Sequence, residues 1–323
     1  MAFPKCIWAN KALMLRPPPA ANVEAALFYE RTVFMNLQWF PGHMAKTRRM
    51  MTEQLGLIDI VVELLDARLP VSSQNPEINT IVGAKPRLII LNKADLADEE
   101  INRKWVEHFK KNGIEAVLLD SVHAKNLNFI ADKIRNVLKD KLEKQAEKGM
   151  AGRSIKVMVV GIPNVGKSSF INKFAGRASA VTGDRPGVTR GKQWIRLKNG
   201  IELLDTPGIL WPKFEDEQTG LNLAYVGSIK DEIIDVETLA CKLLEFLNSA
   251  YRAELCARYK LDDTEGLAGY ELLELIGKKR GFVISGGEID FLRAANIVLD
   301  EFRMCRIGRI SLEVPNVEEN SNA

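Results

Sequence analysis

The amino-acid sequence predicts an α/β fold, a doubly wound and mostly parallel sheet with helices on both faces, followed by a smaller all-α C-terminal domain. Two observations support this prediction. Short apolar runs rich in β-branched residues alternate with segments of helical periodicity up to about residue 228, whereas helical periodicity alone follows. In addition, a glycine-containing turn joins one apolar run to a helical segment, as in phosphate-binding loops.

Five segments are predicted to be buried strands because apolar residues dominate them. These strands span residues 58–66, 87–91, 115–119, 155–160 and 201–204. Apolar residues at helical spacing predict helices over residues 45–55, 127–148 and 169–174. The same spacing over residues 235–247, 270–276 and 289–302 predicts the helical second domain.

The stretch from Gly161 to Ser168 matches the pattern G-x-x-x-x-G-K-[ST] at every position. Its place between a strand and a helix presents backbone N–H groups and a positive helix end to an anion. Lys167 is expected to reach the β- and γ-phosphates, and the Ser168 hydroxyl to ligate Mg²⁺. The predicted nucleotide contacts of this P-loop are Asn164, Val165, Gly166, Lys167, Ser168 and Ser169.

A second motif, Asn92-Lys93-Ala94-Asp95, follows the strand at 87–91 and matches the guanine-reading pattern N-K-x-D. The Asp95 carboxylate can accept hydrogens from N1 and from the exocyclic amino group of guanine. Adenine lacks this donor pair and would leave a buried carboxylate unpaired, at a cost of about 1–3 kcal/mol or more. We expect Asn92 to hold neighbouring loops, the Lys93 stem to lie against the ring, and the backbone of Ser121 to read guanine O6.

Two further segments are predicted to sense the γ-phosphate. Residues 183–190 are polar and turn-rich, and Thr189 is expected to close on Mg²⁺ and the γ-phosphate. The sequence Asp205-Thr-Pro-Gly208 matches D-x-x-G and follows the strand at 201–204. We expect Asp205 to hold a Mg²⁺-bound water and the Gly208 N–H to contact the γ-phosphate, so that hydrolysis releases both segments. Together these motifs predict a GTPase that binds GTP, GDP and Mg²⁺.

The order of the motifs is permuted, because N-K-x-D precedes the P-loop whereas ordinary GTPases begin with the P-loop. The domain is therefore predicted to be a circularly permuted P-loop GTPase domain. The segments Trp39-Phe-Pro-Gly-His-Met-Ala-Lys46 and Asp205-Thr-Pro-Gly-Ile-Leu-Trp-Pro-Lys-Phe214, together with the P-loop, closely resemble the ribosome biogenesis GTPase A (YlqF/RbgA) family. The resemblance extends from about residue 35 to residue 315.

This resemblance implies a GTP-hydrolysing assembly factor that binds the maturing large ribosomal subunit and its rRNA. Hydrolysis is then stimulated by the ribosomal particle and releases the factor. It also implies that Asn164 helps to hold K⁺ near the phosphates. Ile209 stands where Ras-like enzymes carry a water-orienting glutamine, and family analogy makes His43 a candidate for that role. A structural role for His43 in a turn is the alternative.

The predicted catalytic residues are thus His43, Lys167, Thr189 and Gly208, and the predicted metal ligands are Ser168, Thr189, Asp205 and Asn164. A second function class stays open at this point, namely a GTPase switch that acts on a non-ribosomal protein or a tRNA-modification partner. A purely structural RNA-binding module would leave the phosphate and guanine motifs without a purpose.

Composition places few limits on this interpretation. Of 323 residues, 46% are hydrophobic and 27% are charged, and the net charge of +3 is compatible with a nucleic-acid partner without requiring one. No apolar run reaches membrane-spanning length, and we expect a soluble, cytoplasmic monomer. The four cysteines have no metal-type spacing and are expected to be reduced thiols.

The sequence divides into four predicted segments. Residues 1–34 are predicted to be disordered or an upstream extension that precedes a start at Met35; the alternative is an organelle transit peptide, which would place the protein in an organelle matrix. Residues 35–228 form the GTPase domain, residues 229–315 a helical RNA-binding domain, and residues 316–323 a polar tail expected to be disordered. Basic residues at 278–280, 303, 306 and 309 either solvate a face or contact rRNA phosphates.

Overall fold

A computed structural model of the chain describes residues 42–123, 127–150, 152–176, 193–211 and 216–315; the side chains of residues 42–44 and 193 are outside this description. The described residues divide into two compact units, residues 42–216 together with 311–315, and residues 217–310. The chain therefore leaves the first unit and later returns to it. The sequence-based division at residue 228 stays a prediction, and residues 1–34, Thr189 and the tail at 316–323 lie outside the described residues.

Six strands form the sheet of the first unit. They are β1 (Ile60–Asp66), β2 (Arg87–Asn92), β3 (Glu115–Leu119), β4 (Ile155–Gly161), β5 (Gln193–Arg196) and β6 (Ile201–Asp205). Their order is β3-β2-β1-β4-β6-β5, and all neighbours are parallel except β5 and β6, which are antiparallel. This confirms the mostly parallel α/β sheet. The sequence did not predict β5, which is a strand of four residues at the edge and too short for a clear periodic signal.

The first unit contains six described α-helices. They are α1 (Gly42–Gln54), α2 (Pro76–Val82), α3 (Glu99–Lys111), α4 (Asn128–Val137), α5 (Lys139–Glu147) and α6 (Lys167–Ala175). The prediction of a single helix over residues 127–148 is wrong, because the helix is interrupted at Leu138, between α4 and α5. Ile130, Ala131 and Ile134 of α4 are buried, whereas no residue of α5 is, so the apolar stripe ends at the break.

The buried parallel strands place the predicted motifs at one edge of the sheet. All seven residues of β1 are buried, and Leu65 packs with Ile89 and Leu91 of β2 against Trp105 and Phe109 of α3. Since β1, β2, β3, β4 and β6 run parallel, their carboxyl ends lie at the same edge of the sheet. The segments after these strands carry N-K-x-D, Ser121, the P-loop and D-x-x-G.

The second unit is helical, as predicted. Its described helices are α7 (Glu217–Tyr225), α8 (Val236–Ala250), α9 (Arg252–Tyr259), α10 (Gly269–Arg280) and α11 (Phe291–Arg303). A Cβ atom at Gly269 would overlap the backbone carbonyl of Cys241, so this glycine permits the close approach of α10 to α8. Among the described helices, none combines the length and the apolar character needed to cross a bilayer.

Candidate active site

The turn between β4 and α6 is shaped by two glycines. A Cβ atom at Gly161 would lie 2.6 Å from the carbonyl oxygen of Leu64 on β1, which leaves no room for a side chain. Gly166 has a left-handed backbone with a φ of 96°, and a Cβ atom there would overlap the side-chain amide of Asn92. Asn164 at the tip is also left-handed, with a φ of 57°, a conformation that asparagine tolerates better than most residues.

Lys167 lies at the start of α6 with its side chain buried. Its ammonium donates to the carbonyl oxygens of Gly161 at 3.0 Å and Ile162 at 2.7 Å, so the charge is held inside the turn. Burial lowers the pKa of Lys167 to about 8, although nearby Asp205 acts to raise it. Ser168 and Ser169 follow in the first turn of α6 and are partly exposed.

Asp205 ends β6 beside this lysine and is 1% exposed. Neither carboxylate oxygen has a hydrogen-bond partner among the residues that the structure describes. Burial raises the pKa of Asp205 to about 6, although Lys167 lowers it. Buried, unpaired carboxylate oxygens are costly, and those of Asp205 are therefore available to bind a cation or water bound to a cation.

Gly208 brings the D-x-x-G segment against the P-loop. A Cβ atom at Gly208 would lie 2.8 Å from the Lys167 ammonium and 2.8 Å from the backbone nitrogen of Pro163. The next residue, Ile209, is buried, and its carbonyl oxygen accepts a hydrogen bond of 3.2 Å from the side-chain amide of Asn75. The Ile209 side chain therefore serves packing, which agrees with the absence of a water-orienting group at this position.

Asn92 connects three of the predicted loops with one buried side chain. Its amide nitrogen donates to the carbonyl oxygen of Val165 at 2.7 Å, and its amide oxygen accepts from the backbone N–H of Ser121 at 3.1 Å. The N-K-x-D segment, the loop after β3 and the P-loop are thus held together. These segments are far apart in sequence, since Asn92 and Val165 are separated by 73 positions.

Asp95 lies in the short turn after β2 and is partly buried. Burial raises its pKa, and the neighbouring Asp120 carboxylate raises it further. A cluster of three possible ligand atoms lies beside it, one each from Asp95, Asp120 and His123, and all three atoms are within 4.8 Å of one another. Asp120 also accepts the backbone N–H groups of Val122 and His123, both at 2.9 Å. Neither Asp120 nor His123 was among the site residues predicted from the sequence.

A buried ion-pair network beside Lys93 was also missed. Lys93 has a left-handed backbone with a φ of 57°, and its Nζ lies 3.1 Å from Oδ2 of Asp66 at the end of β1. Arg68 donates two hydrogen bonds to the same carboxylate, from Nε at 2.9 Å and from Nη2 at 2.8 Å. Although burial acts to raise it, Arg68 and Lys93 hold the pKa of Asp66 well below its usual range. An acid and an arginine two positions apart after a buried strand were the available sequence signal.

The side-chain positions of two predicted site residues, His43 and Thr189, lie outside the part of the chain that the structure describes. His43 is the second residue of α1, but its side chain is outside the described residues, as is all of Thr189. The remaining predicted site residues lie around the carboxyl edge of the sheet, at the ends of β2 and β6 and on the segments that follow β2, β3, β4 and β6.

Known proteins share both the sequence and the fold of this chain. A family model described as 50S ribosome-binding GTPase matches residues 156–256. The chain is 49% identical over 282 residues to the ribosome biogenesis GTPase A of Bacillus licheniformis, which covers 87% of this chain and 99% of that protein. This chain belongs to the ribosome biogenesis GTPase A family. It is accordingly a GTPase, with the α/β P-loop fold that the motifs predicted.

Two further relatives of this ribosome biogenesis GTPase are informative. The mouse mitochondrial ribosome-associated GTPase 1 is 34% identical over 296 residues, covering 85% of this chain and 90% of that protein. The crystal structure of GNP-bound YlqF from T. maritima aligns with a TM-score of 0.57 at 31% identity, over 84% of this chain and 99% of that chain. The family resemblance recognised in the motifs is therefore confirmed over most of the chain.

Proposed function

We propose that this GTPase is an assembly factor that binds the maturing large ribosomal subunit when loaded with GTP and leaves after hydrolysis. The names of the relatives and of the matching family model support the ribosomal role. The observation that carries the nucleotide assignment is the bridge made by Asn92, because one buried side chain joins the guanine-reading loops to the P-loop. A non-ribosomal partner is not favoured by any of these relatives.

In this proposal the guanine base is read by Asp95 and by the backbone after β3 at Ser121. Lys93 lies against the ring, and Lys167 and the Gly208 N–H contact the γ-phosphate. Because Gly208 lies next to the Lys167 ammonium, a γ-phosphate that binds there engages both groups, and its loss releases both.

The donor set also fits the two expected cations. The unpaired Asp205 carboxylate and the Ser168 hydroxyl, with Thr189, would hold Mg²⁺ and its water, and oxygen donors are the ligands that Mg²⁺ prefers. Mg²⁺ supplies charge that offsets the charge developing on the β- and γ-phosphate oxygens. The amide oxygen of Asn164, at the partly exposed tip of the P-loop, is a suitable donor for K⁺.

For the helical unit we propose contacts with rRNA phosphates through exposed cations. Lys278 and Lys279 lie in the last turn of α10, with side chains 59% and 44% exposed. Their ion pairs with Glu274 and Asp262 lie at the surface. Arg306 and Arg309 are also exposed. Arg303 is different, because its guanidinium is bound to the Asp231 carboxylate and to backbone carbonyls within the unit, so it stabilises the fold.

The test of this function is cosedimentation with large-subunit particles. The protein loaded with a non-hydrolysable GTP analogue is expected to sediment with immature particles, and the GDP-loaded protein to stay in the supernatant. Equal sedimentation in both states would contradict a GTP-dependent ribosomal role.

The free protein is expected to be a monomer, which size-exclusion chromatography with light scattering measures. We propose a cytoplasmic location, with an organelle matrix as the alternative if residues 1–34 direct import of a fluorescent fusion.

If Asn164 helps to hold K⁺, GTP hydrolysis is expected to be several-fold faster in KCl than in NaCl. Na⁺ is smaller and fits a K⁺-sized set of oxygens poorly. Turnover is measured at matched ionic strength, because screening alone alters phosphate binding. Asn164→Ala should remove the difference between the two salts, and equal rates in the wild type would exclude K⁺ from the site.

We propose that His43 positions the attacking water when the ribosomal particle is bound. Ile209 is buried and offers no side-chain hydrogen bond, so the free enzyme is expected to be slow. His43→Ala should keep GTP affinity near that of the wild type, lose most of the stimulation by large-subunit particles and stay bound to them. Turnover and cosedimentation are measured side by side, with exposed Lys110→Ala on α3 as the control. Full stimulation of His43→Ala would make His43 structural.

A further inference from the structure

The chain returns to the first unit after residue 310, and residues 311–315, here called the return strap, are bound there by Glu313. The Glu313 side chain is 2% exposed. Its carboxylate accepts the backbone N–H of Val71 at 2.6 Å and that of Ser72 at 2.9 Å, and it also accepts the Ser72 hydroxyl. A buried carboxylate with these donors is strongly held, since hydrogen bonds to charged groups are about twice as strong as neutral ones.

Three further hydrogen bonds attach the return strap. The backbone N–H of Leu312 donates to the carbonyl oxygen of Arg68 at 2.7 Å. The indole N–H of Trp105 on α3 donates to the Glu313 carbonyl oxygen at 3.2 Å. The Ser311 hydroxyl oxygen accepts the backbone N–H of Asp98 at 3.1 Å. The strap is thus fixed by polar contacts to specific backbone groups as well as by burial.

The strap contacts lead to both sides of the N-K-x-D segment. On one side, the loop after β1 binds Glu313 and also contains Arg68. Arg68 donates hydrogen bonds to the Asp66 carboxylate, and this carboxylate pairs with Lys93. The Ser73 hydroxyl in the same loop accepts the Asp66 backbone N–H at 3.1 Å. On the other side, Asp98 follows Asp95 by three positions and caps α3. The strap therefore holds the chain before and after the residues assigned to the guanine base.

We propose that the return strap is a positioning element of the guanine site, with Glu313 as the positioning residue that acts through Arg68 and Asp66 on Lys93. This inference rests on the proposed placement of Lys93 against the base. Glu313 does not touch the nucleotide in this proposal. It fixes the loop after β1, and that loop fixes the ion-pair network that holds the Lys93 stem in its left-handed turn.

The experiment measures the dissociation rates of fluorescent GDP and of fluorescent IDP, which lacks the exocyclic amino group, from the full-length chain. Glu313→Gln keeps the size of the side chain but removes its charge, and both nucleotides are expected to leave about tenfold faster, a change of about 1.4 kcal/mol. Trp105→Phe removes the indole N–H together with part of the ring volume in the core, and it should act in the same direction, about threefold. Glu107→Gln, on the exposed side of α3, removes an equal charge and should match the wild type.

Dissociation rates separate positioning from folding, because only folded and loaded molecules contribute to them. If Glu313→Gln lowers thermal stability but releases both nucleotides at wild-type rates, the strap is only a structural anchor and the inference is wrong. Equal acceleration for GDP and IDP is the signature of a displaced Lys93, since its stem would contact the ring of both bases. Failure of the wild type to prefer GDP over ADP would instead contradict the proposed guanine site.

Discussion

Replacing Lys167 with alanine is expected to weaken GTP binding by about 100-fold or more, because a charge-assisted contact to the β- and γ-phosphates is lost. The ammonium is buried within the turn that the two glycines shape, so no exposed lysine can replace it. Equilibrium titration with fluorescent GTP measures the loss. Lys144→Ala, on the exposed α5, is the matched control and should bind as the wild type does. Near-normal binding by Lys167→Ala would contradict the P-loop assignment.

The same lysine gives the affinity a pH dependence. Burial lowers the pKa of Lys167 to about 8 in the ligand-free protein, and phosphate binds the protonated form. Wild-type affinity should therefore be fully present well below pH 8 and fall as the pH rises through 8 and above it. Lys167→Ala has no ammonium at this position, so its weak residual binding should lack this fall.

The second large effect is expected from Asp95→Asn, which should change the preferred base from guanine to xanthine. The asparagine amide can donate to the extra carbonyl oxygen of xanthine, whereas the guanine amino group loses its acceptor. We expect GTP affinity to fall and XTP affinity to rise, each by about 10- to 100-fold. Competition among GTP, XTP and ATP measures the change, with exposed Asp132→Asn on α4 as the control. Unchanged selectivity for GTP would remove Asp95 from the guanine site.

Local sequence was sufficient for those parts of the fold and site that depend on neighbours in the chain. The five longer strands were predicted because apolar residues dominate them, and the glycines at 161 and 166 were recognised because a phosphate loop needs them at that spacing. The order of the motifs identified the permutation without any coordinates. Weak local signals failed, as at the four-residue β5 and at the break after α4.

Contacts between distant segments were missed for a different reason. Glu313 binds Val71 across 242 positions, and nothing in the sequence around either residue indicates the other. The pairing of Lys93 with Asp66 likewise depends on β1 and β2 being neighbours in the sheet. Arg303 belongs to a basic run that suggested an RNA contact, yet it is bonded to Asp231, because a charge pattern alone does not show which cations are already paired.

The permuted strand order also sets the order in which the sheet can assemble while the chain is being translated. Strands β1, β2 and β3 are synthesised first. The edge of β1 that pairs with β4 stays unpaired until about 40 more residues have been added, which takes about 2–8 s at ordinary rates of synthesis. During that interval the apolar β1 has an unpaired edge, which is a template on which other strands can pair. We therefore expect the nascent chain to be open to misassociation during this interval, and a ribosome stalled after β3 has emerged but before β4 has emerged should carry a chain that proteases cleave readily.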